Sequence, residues 1–108
     1  MKDKDCIFCK IVTGEIPKEF SYEDSEIVAF DDINPLSPIH KIIIPKRHIE
    51  DFFHSTSPVV DAISKGIKHL IDHEKLMGKG YRIVVNGGGA QDIDHLHFHL
   101  RGPLERGA

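Results

Sequence analysis

A chain of 108 residues with 40% hydrophobic content has material for one modest core, and no apolar run approaches a membrane span or a secretory signal, so one soluble, cytoplasmic domain over residues 1–108 is expected. Fourteen basic against seventeen acidic residues leave a net charge of −3, which argues against a binder of polymeric nucleic acid and leaves small anions open. Without a secretion signal, the two cysteines, Cys6 and Cys9, suggest a metal half-site or a redox pair rather than a structural disulfide.

In chain order, apolar residues at 7, 8, 11 and 12 have helical spacing, and Thr13-Gly14 reads as the stop. Cys6 and Cys9 fall on one face of that turn. Glu15-Ile16-Pro17 is a connector, and residues 20–23 and 26–30 read as two short antiparallel strands split by Asp24-Ser25. Residues 31–38 carry two prolines and form an exposed loop. Residues 40–44 then read as a buried strand ended by Pro45, from which Lys46-Arg47-His48 leads away.

Ser57-Pro58 starts the one long helix, with serine able to cap and proline tolerated in the first turn. Val60, Ile63, Ile67, Leu70 and Ile71 supply its apolar stripe, and Gly78 and Gly80 mark its end. His69 and His73 have the i, i+4 spacing of a chelating pair, but they lie off the stripe and are expected to be solvated. Residues 81–86 form a strand, 87–90 a flexible glycine-rich loop, and 93–101 a last strand. The two strands form a hairpin that brings Asn86 and the loop amides near the start of the final stretch.

That stretch is His95-Leu96-His97-Phe98-His99-Leu100. On a strand, a side-chain period of two puts the three imidazoles on one face, roughly 7 Å apart, and turns Leu96, Phe98 and Leu100 into the core. Such a face suits phosphoryl chemistry. A neutral imidazole attacks phosphorus at neutral pH, a neighbouring imidazolium neutralises phosphoryl oxygens, and glycine-loop amides donate to the anion. A histidine tract that binds stray metal would not need the strict apolar alternation. Cys6-x-x-Cys9 offers two thiolates that two histidines from elsewhere would complete to a tetrahedral zinc shell; the same motif alone also fits two reduced thiols packed under the helix.

His95 to Leu100 resembles the signature of the histidine-triad, or HIT, superfamily. The resemblance continues through Cys6-Ile7-Phe8-Cys9-Lys10-Ile11, Gly14-Glu15-Ile16-Pro17, Ala29-Phe30-Asp31-Asp32-Ile33-Asn34-Pro35, His40 to His48, and Gly80 to Asn86. Their order and spacing are similar to the Hint branch in its bacterial zinc-containing form. The resemblance implies an α+β HIT-like fold, with an antiparallel sheet of about five strands, one long helix and a short N-terminal helix. It also implies a homodimer built on the long helix and a neighbouring strand. Cys6, Cys9, His48 and His95 would hold a structural zinc ion, His97 would be the nucleophile, and His99 would contact an α-phosphate oxygen. His40 and Asp92 complete the implied catalytic set. Asn86 and Ala90 would lie by the phosphate, Asp32 would accept from the ribose hydroxyls, and Ile7, Phe8, Ile11, Phe30 and Ile33 would enclose the purine.

The implied activity is hydrolysis of a purine nucleoside phosphoramidate of the AMP-amine type through a nucleotidyl-histidine. Cleavage of dinucleoside polyphosphates, nucleotidyl transfer, and a nucleotide-binding interaction module with little turnover are the alternatives. Two features depart from the family pattern: Asp92 and Asp94 add negative charge near the phosphate, and the stretch after the triad lacks a tryptophan. The added charge favours a small phosphoramidate over a polyphosphate.

Overall fold

The computed structural model describes residues 5–108. Helix α1 (Ile7–Thr13) starts at Cys6, whose Sγ accepts from the Cys9 amide, and ends at Gly14 with φ 85°. Glycine takes this left-handed cap without a Cβ penalty. Strands β1 (Tyr22–Glu23), β2 (Ile27–Asp31) and β3 (Ile39–Pro45) follow, then a 3-10 turn (Phe52–His54), helix α2 (Ser57–His73), β4 (Arg82–Val85) and β5 (Phe98–Gly102). The strands form one antiparallel sheet in the order β1-β2-β3-β5-β4.

The sheet is covered on both faces, which explains why β2 and β3 read as nearly continuous apolar runs. On one face Ile27, Ala29, Ile43, Phe98 and Leu100 pack with Ile63, Ile67 and Leu70 of α2. On the other, Val28, Phe30, Ile42 and Ile44 pack with Phe8 and Ile11 of α1. Close approach of α2 depends on Gly66, where a Cβ would fall 2.4 Å from Ile27 Cδ1 and 3.2 Å from Tyr22 Cε2.

The α2 boundaries differ from the sequence expectation. Thr56 is the N-cap, without a side-chain cap bond, and Ser57 opens the helix. Val59, not Val60, joins the buried stripe. The helix stops at His73, and Lys75 turns the chain at φ 57°, ahead of Gly78 and Gly80. His69 and His73 are exposed, with their rings stacked 6.0 Å apart.

The final strand is shorter than its alternation suggests. β5 begins at Phe98, so His95 and His97 precede it, because the Leu96 amide donates to the Ile49 carbonyl (2.6 Å) and not to a sheet neighbour. Val85 pairs with Phe98, so residues 86–97 form a long connection and not a tight hairpin turn. Among the described residues, no helix is long and apolar enough to cross a membrane.

Candidate functional site

The alternation from His95 to Leu100 holds in space even where the strand does not. Leu96, Phe98 and Leu100 are buried on the α2 side, while His97 and His99 stand on the α1 side with ring centroids 5.2 Å apart. A cleft of about 250 Å3 opens there, near the lower end of small-ligand pockets. Ile7, Phe8, Ile11, Phe30, Ile33 and Ile42 form its apolar walls. Asp32, Asp92, His97 and His99 line its polar side. Phe8 and Phe30 are thus both core and cleft wall: each is nearly fully buried, and their rings meet edge to face at 5.9 Å.

His97 is 3% exposed and packs edge-on against Phe8 at 5.1 Å. Its Nδ1 lies 2.8 Å from the His95 carbonyl oxygen, an acceptor, so Nδ1 carries the proton and donates. The Nε2 lone pair is therefore directed away from the backbone, the form a nucleophile requires. The Asp92 carboxylate approaches Nε2 to 3.4 Å from a side chain that is 87% exposed, so it can move aside for an anion.

A second proton arrangement lies behind His99. The Leu36 amide donates to His40 Nδ1 (3.0 Å), which puts the proton of neutral His40 on Nε2. That N–H faces His99 Nδ1 at 2.9 Å and Asp32 Oδ2 at 3.4 Å. His99 Nδ1 is then the acceptor, and His99 keeps its proton on Nε2 as a donor. Burial holds His40 below the ordinary imidazole value, against the pull of Asp32 and with help from Arg101. Burial also lowers His99, reinforced by His97 and His40, opposed by Asp32, and reinforced further by Arg101. Asp32, His40 and His99 are close enough to be considered as metal ligands. The Leu36 hydrogen bond disfavours this, because the metal would need the Nε2 position where His40 carries its proton.

The other cluster has the opposite chemistry. Ligand atoms of Cys6, Cys9, His48 and His95 all lie within 4.8 Å of one another. His95 Nδ1 is 3.3 Å from Cys6 Sγ and 3.4 Å from Cys9 Sγ, and His48 Nδ1 is 3.2 Å from Cys9 Sγ. Tetrahedral zinc, with bonds of about 2.3 Å to sulfur and about 2.0 Å to nitrogen, would separate such atoms by about 3.5 Å. His95 is fully buried, and its Nε2 lies 2.8 Å from the Pro45 carbonyl oxygen. The proton is therefore on Nε2 and the Nδ1 lone pair faces the thiols, which is the tautomer a metal ligand needs. The donor set fits a four-coordinate metal ion.

Two residues of the sequence-derived set lie elsewhere. Asn86 borders a different groove, with Asp51, Phe52 and Phe53, and Ala90 does not line the cleft. The loop is instead held by Asp51, which accepts from the Gly88 amide (3.0 Å), and by Gln91, which accepts from the Gly89 amide (2.9 Å). Asp94 borders the groove beside Cys6 and His48 and not the cleft. Sequence reasoning missed Lys18, Asp31, Asn34, Ile42 and Ile93 as lining residues, since nothing local marks them. A larger groove of about 730 Å3 lies between residues 78–82 and 104–108. It contains no histidine, cysteine or other nucleophile poised for chemistry, so the histidine cleft is the better candidate despite its smaller size.

A sheet with these paired histidines and this apolar cleft defines a histidine-triad protein. The family model for the scavenger mRNA decapping enzyme C-terminal binding region matches residues 5–107. An uncharacterised HIT-like protein of Methanocaldococcus jannaschii is 42% identical over 98 residues, 88% of this chain and 76% of that protein. The adenosine 5'-monophosphoramidase of Candida albicans is 38% identical over 104 residues, 88% of this chain and 68% of that one. A HIT family hydrolase from Legionella pneumophila superposes with a TM-score of 0.85 at 42% identity, covering 93% and 94% of the two chains. The chain belongs to the histidine-triad superfamily, among relatives described as hydrolases and nucleotide-binding proteins.

Proposed function

We propose that the chain acts as one HIT domain that hydrolyses purine nucleoside phosphoramidates of the AMP-amine type through a nucleotidyl intermediate on His97. The observation that carries this reading is the His97 tautomer: its Nδ1–H is committed to the His95 carbonyl, which leaves the Nε2 lone pair available beside His99. The purine enters between α1 and the sheet, Asp32 accepts from the ribose hydroxyls, and the α-phosphate lies over His97 and His99. Nε2 of His97 attacks phosphorus, the P–N bond breaks, and the amine leaves with a proton taken from water. The His99 Nε2–H donates to a phosphoryl oxygen as charge develops. Water then displaces His97 and releases the nucleoside monophosphate. The name of the Candida albicans relative supports the phosphoramidate as substrate.

Cys6, Cys9, His48 and His95 would hold zinc in a structural role, since four protein ligands leave no position for water. When bound, the metal fixes the chain on one side of His97. Two chains would form a homodimer in the cytoplasm, with exposed Ile83 and Val85 of edge strand β4 supporting an interface there. The test is incubation with a phosphorus-labelled adenosine phosphoramidate, rapid acid-free quenching and peptide mapping. Label on His97, and at least about a thousandfold loss of turnover in His97→Ala, are expected. Turnover without label at His97, or retained turnover in His97→Ala, overturns the reading.

A further inference from the structure

Across the sheet, Phe30 of β2 pairs with Ile42 of β3, and Ile42 pairs with His99 of β5. All three line the cleft, so this row runs from the chemical groups at one end to an aromatic wall at the other. Two strand spacings separate its ends, about 9.6 Å between backbones, which is the scale of a nucleotide from its phosphorus to the outer edge of its base. Lys18 lines the cleft at the Phe30 end, with Nζ 5.4 Å from the centre of that ring. An ammonium at this distance over an aromatic face is attracted to it. The connector that carries Lys18 is tied down on both sides. The Ile16 amide donates to the Lys10 carbonyl of α1 (3.0 Å), and the Ser21 amide donates to the Ala29 carbonyl of β2 (2.8 Å). Half-buried Lys18 is thus held beside the cleft by the elements that form its walls.

The carboxylates that line the cleft are engaged elsewhere. Asp31 pairs with Lys41 (2.6 Å), Asp32 approaches His40 (3.4 Å) and His99 (3.9 Å), and Asp92 approaches His97 (3.4 Å). A base that lies over Ile42 and Phe30, with its phosphorus at His97 and His99, turns the edge opposite its glycosidic bond toward Lys18. On a purine that edge carries the 6-substituent, with N7 beside it. An ammonium donates hydrogen bonds and accepts none. Guanine and other 6-oxopurines offer it acceptors at both O6 and N7, whereas adenine presents a donor, the 6-amino group, next to N7.

We propose that Lys18 reads the 6-position of the base and makes the cleft selective for 6-oxopurine nucleotides, those of guanine or hypoxanthine, over adenine nucleotides. This rests on the assignment of the cleft as a nucleotide site and adds the class of base. Adenylates remain substrates, since the groups around the phosphorus are the same for either base, but they are the poorer ones.

The experiment measures kcat/KM for inosine and adenosine phosphoramidates that share one amine, so that the leaving group is constant. Wild type is compared with Lys18→Met, which keeps an unbranched stem without the charge, and with Lys18→Glu. Wild type is expected to favour the inosine compound by about three- to tenfold, the size of one net hydrogen bond. The ratio falls to about one in Lys18→Met and inverts in Lys18→Glu, where the carboxylate accepts from the 6-amino group. Each ratio is taken within one protein, so a loss of folded enzyme cancels. A wild-type ratio near or below one, or a ratio that neither substitution changes, overturns the base assignment and leaves the phosphoramidase reading intact. If neither compound is turned over, the phosphoramidase reading fails, and the base assignment is judged by calorimetric affinities of the three proteins for IMP and AMP. A preference for IMP that Lys18→Met removes supports it; equal affinities, or no binding of either nucleotide, overturn it.

Discussion

Removal of metal from the Cys6, Cys9, His48 and His95 cluster should lower stability by an amount fixed by free metal concentration. The four side chains come from α1, the segment after β3 and the segment before β5, so an ion that binds them ties together elements that are far apart in the chain. A ligand that binds only the folded form stabilises it by about 2.7 kcal/mol at a hundred times its dissociation constant and by about 4.1 kcal/mol at a thousand times. With an unfolding entropy of about 2.1 cal/mol/K per residue, 108 residues give about 0.23 kcal/mol/K. The melting temperature should then rise by about 12 °C and about 18 °C, or about 6 °C for each tenfold rise in free zinc. Thermal melts in zinc buffers supply the measurement. Cobalt(II) substitution provides an independent readout through the visible bands of a tetrahedral thiolate site. Cys9→Ser should flatten the slope, whereas His97→Ala should preserve it, because His97 Nδ1 is turned toward the His95 carbonyl and not into the cluster. A melting temperature that ignores free zinc, or a zinc slope lost in His97→Ala, would refute the separation of the two sites.

Three further outcomes follow from the buried hydrogen bonds and rings. His40→Phe leaves the Leu36 amide without its acceptor and His99 Nδ1 without its donor, at a cost of about 2–4 kcal/mol, so the melting temperature should fall by about 9–17 °C and kcat should fall more than KM rises. Because burial lowers both His40 and His99 below 6.5, the unfolded chain takes up these protons first as the medium is acidified. Their contribution to stability is complete above pH 6.5 and declines as pH falls below it, so denaturant melts should weaken between about pH 7.5 and about pH 5.5. Asp51 is held below its ordinary value of 3.8 first by the hydrogen bond from His54 and then by the Gly88 amide, and its contribution is lost only below that pH. Phe8→Ala removes a 4% exposed ring that touches Phe30, His95 and His97, and should cost about 3–5 kcal/mol in urea melts while raising KM for a purine nucleotide.

The apolar alternation around the three histidines determined the split between chemical face and core, because side chains in extended chain alternate whatever their hydrogen-bond partners. Periodicity likewise located α2, and the glycine and proline punctuation located the ends of α1 and β3. What depended on distant partners was not legible from residues alone. The CxxC motif implied at most half a metal site, and the neutral forms of His95 and His97 as Nδ1 acceptor and Nδ1 donor depend on the Pro45 and His95 carbonyls. Resemblance named His48 and His95 as partners of the thiols, but only folding brings Cys6 to His95, 89 residues away in sequence. Adjacency to the histidine stretch did not show that Asn86 borders a groove with Asp51, Phe52 and Phe53, a placement that depends on Asp51 accepting from the Gly88 amide of the connection after β4. Local pattern specifies which way a side chain points; which atoms it meets is decided by strand order and by the backbone groups that other segments bring to it.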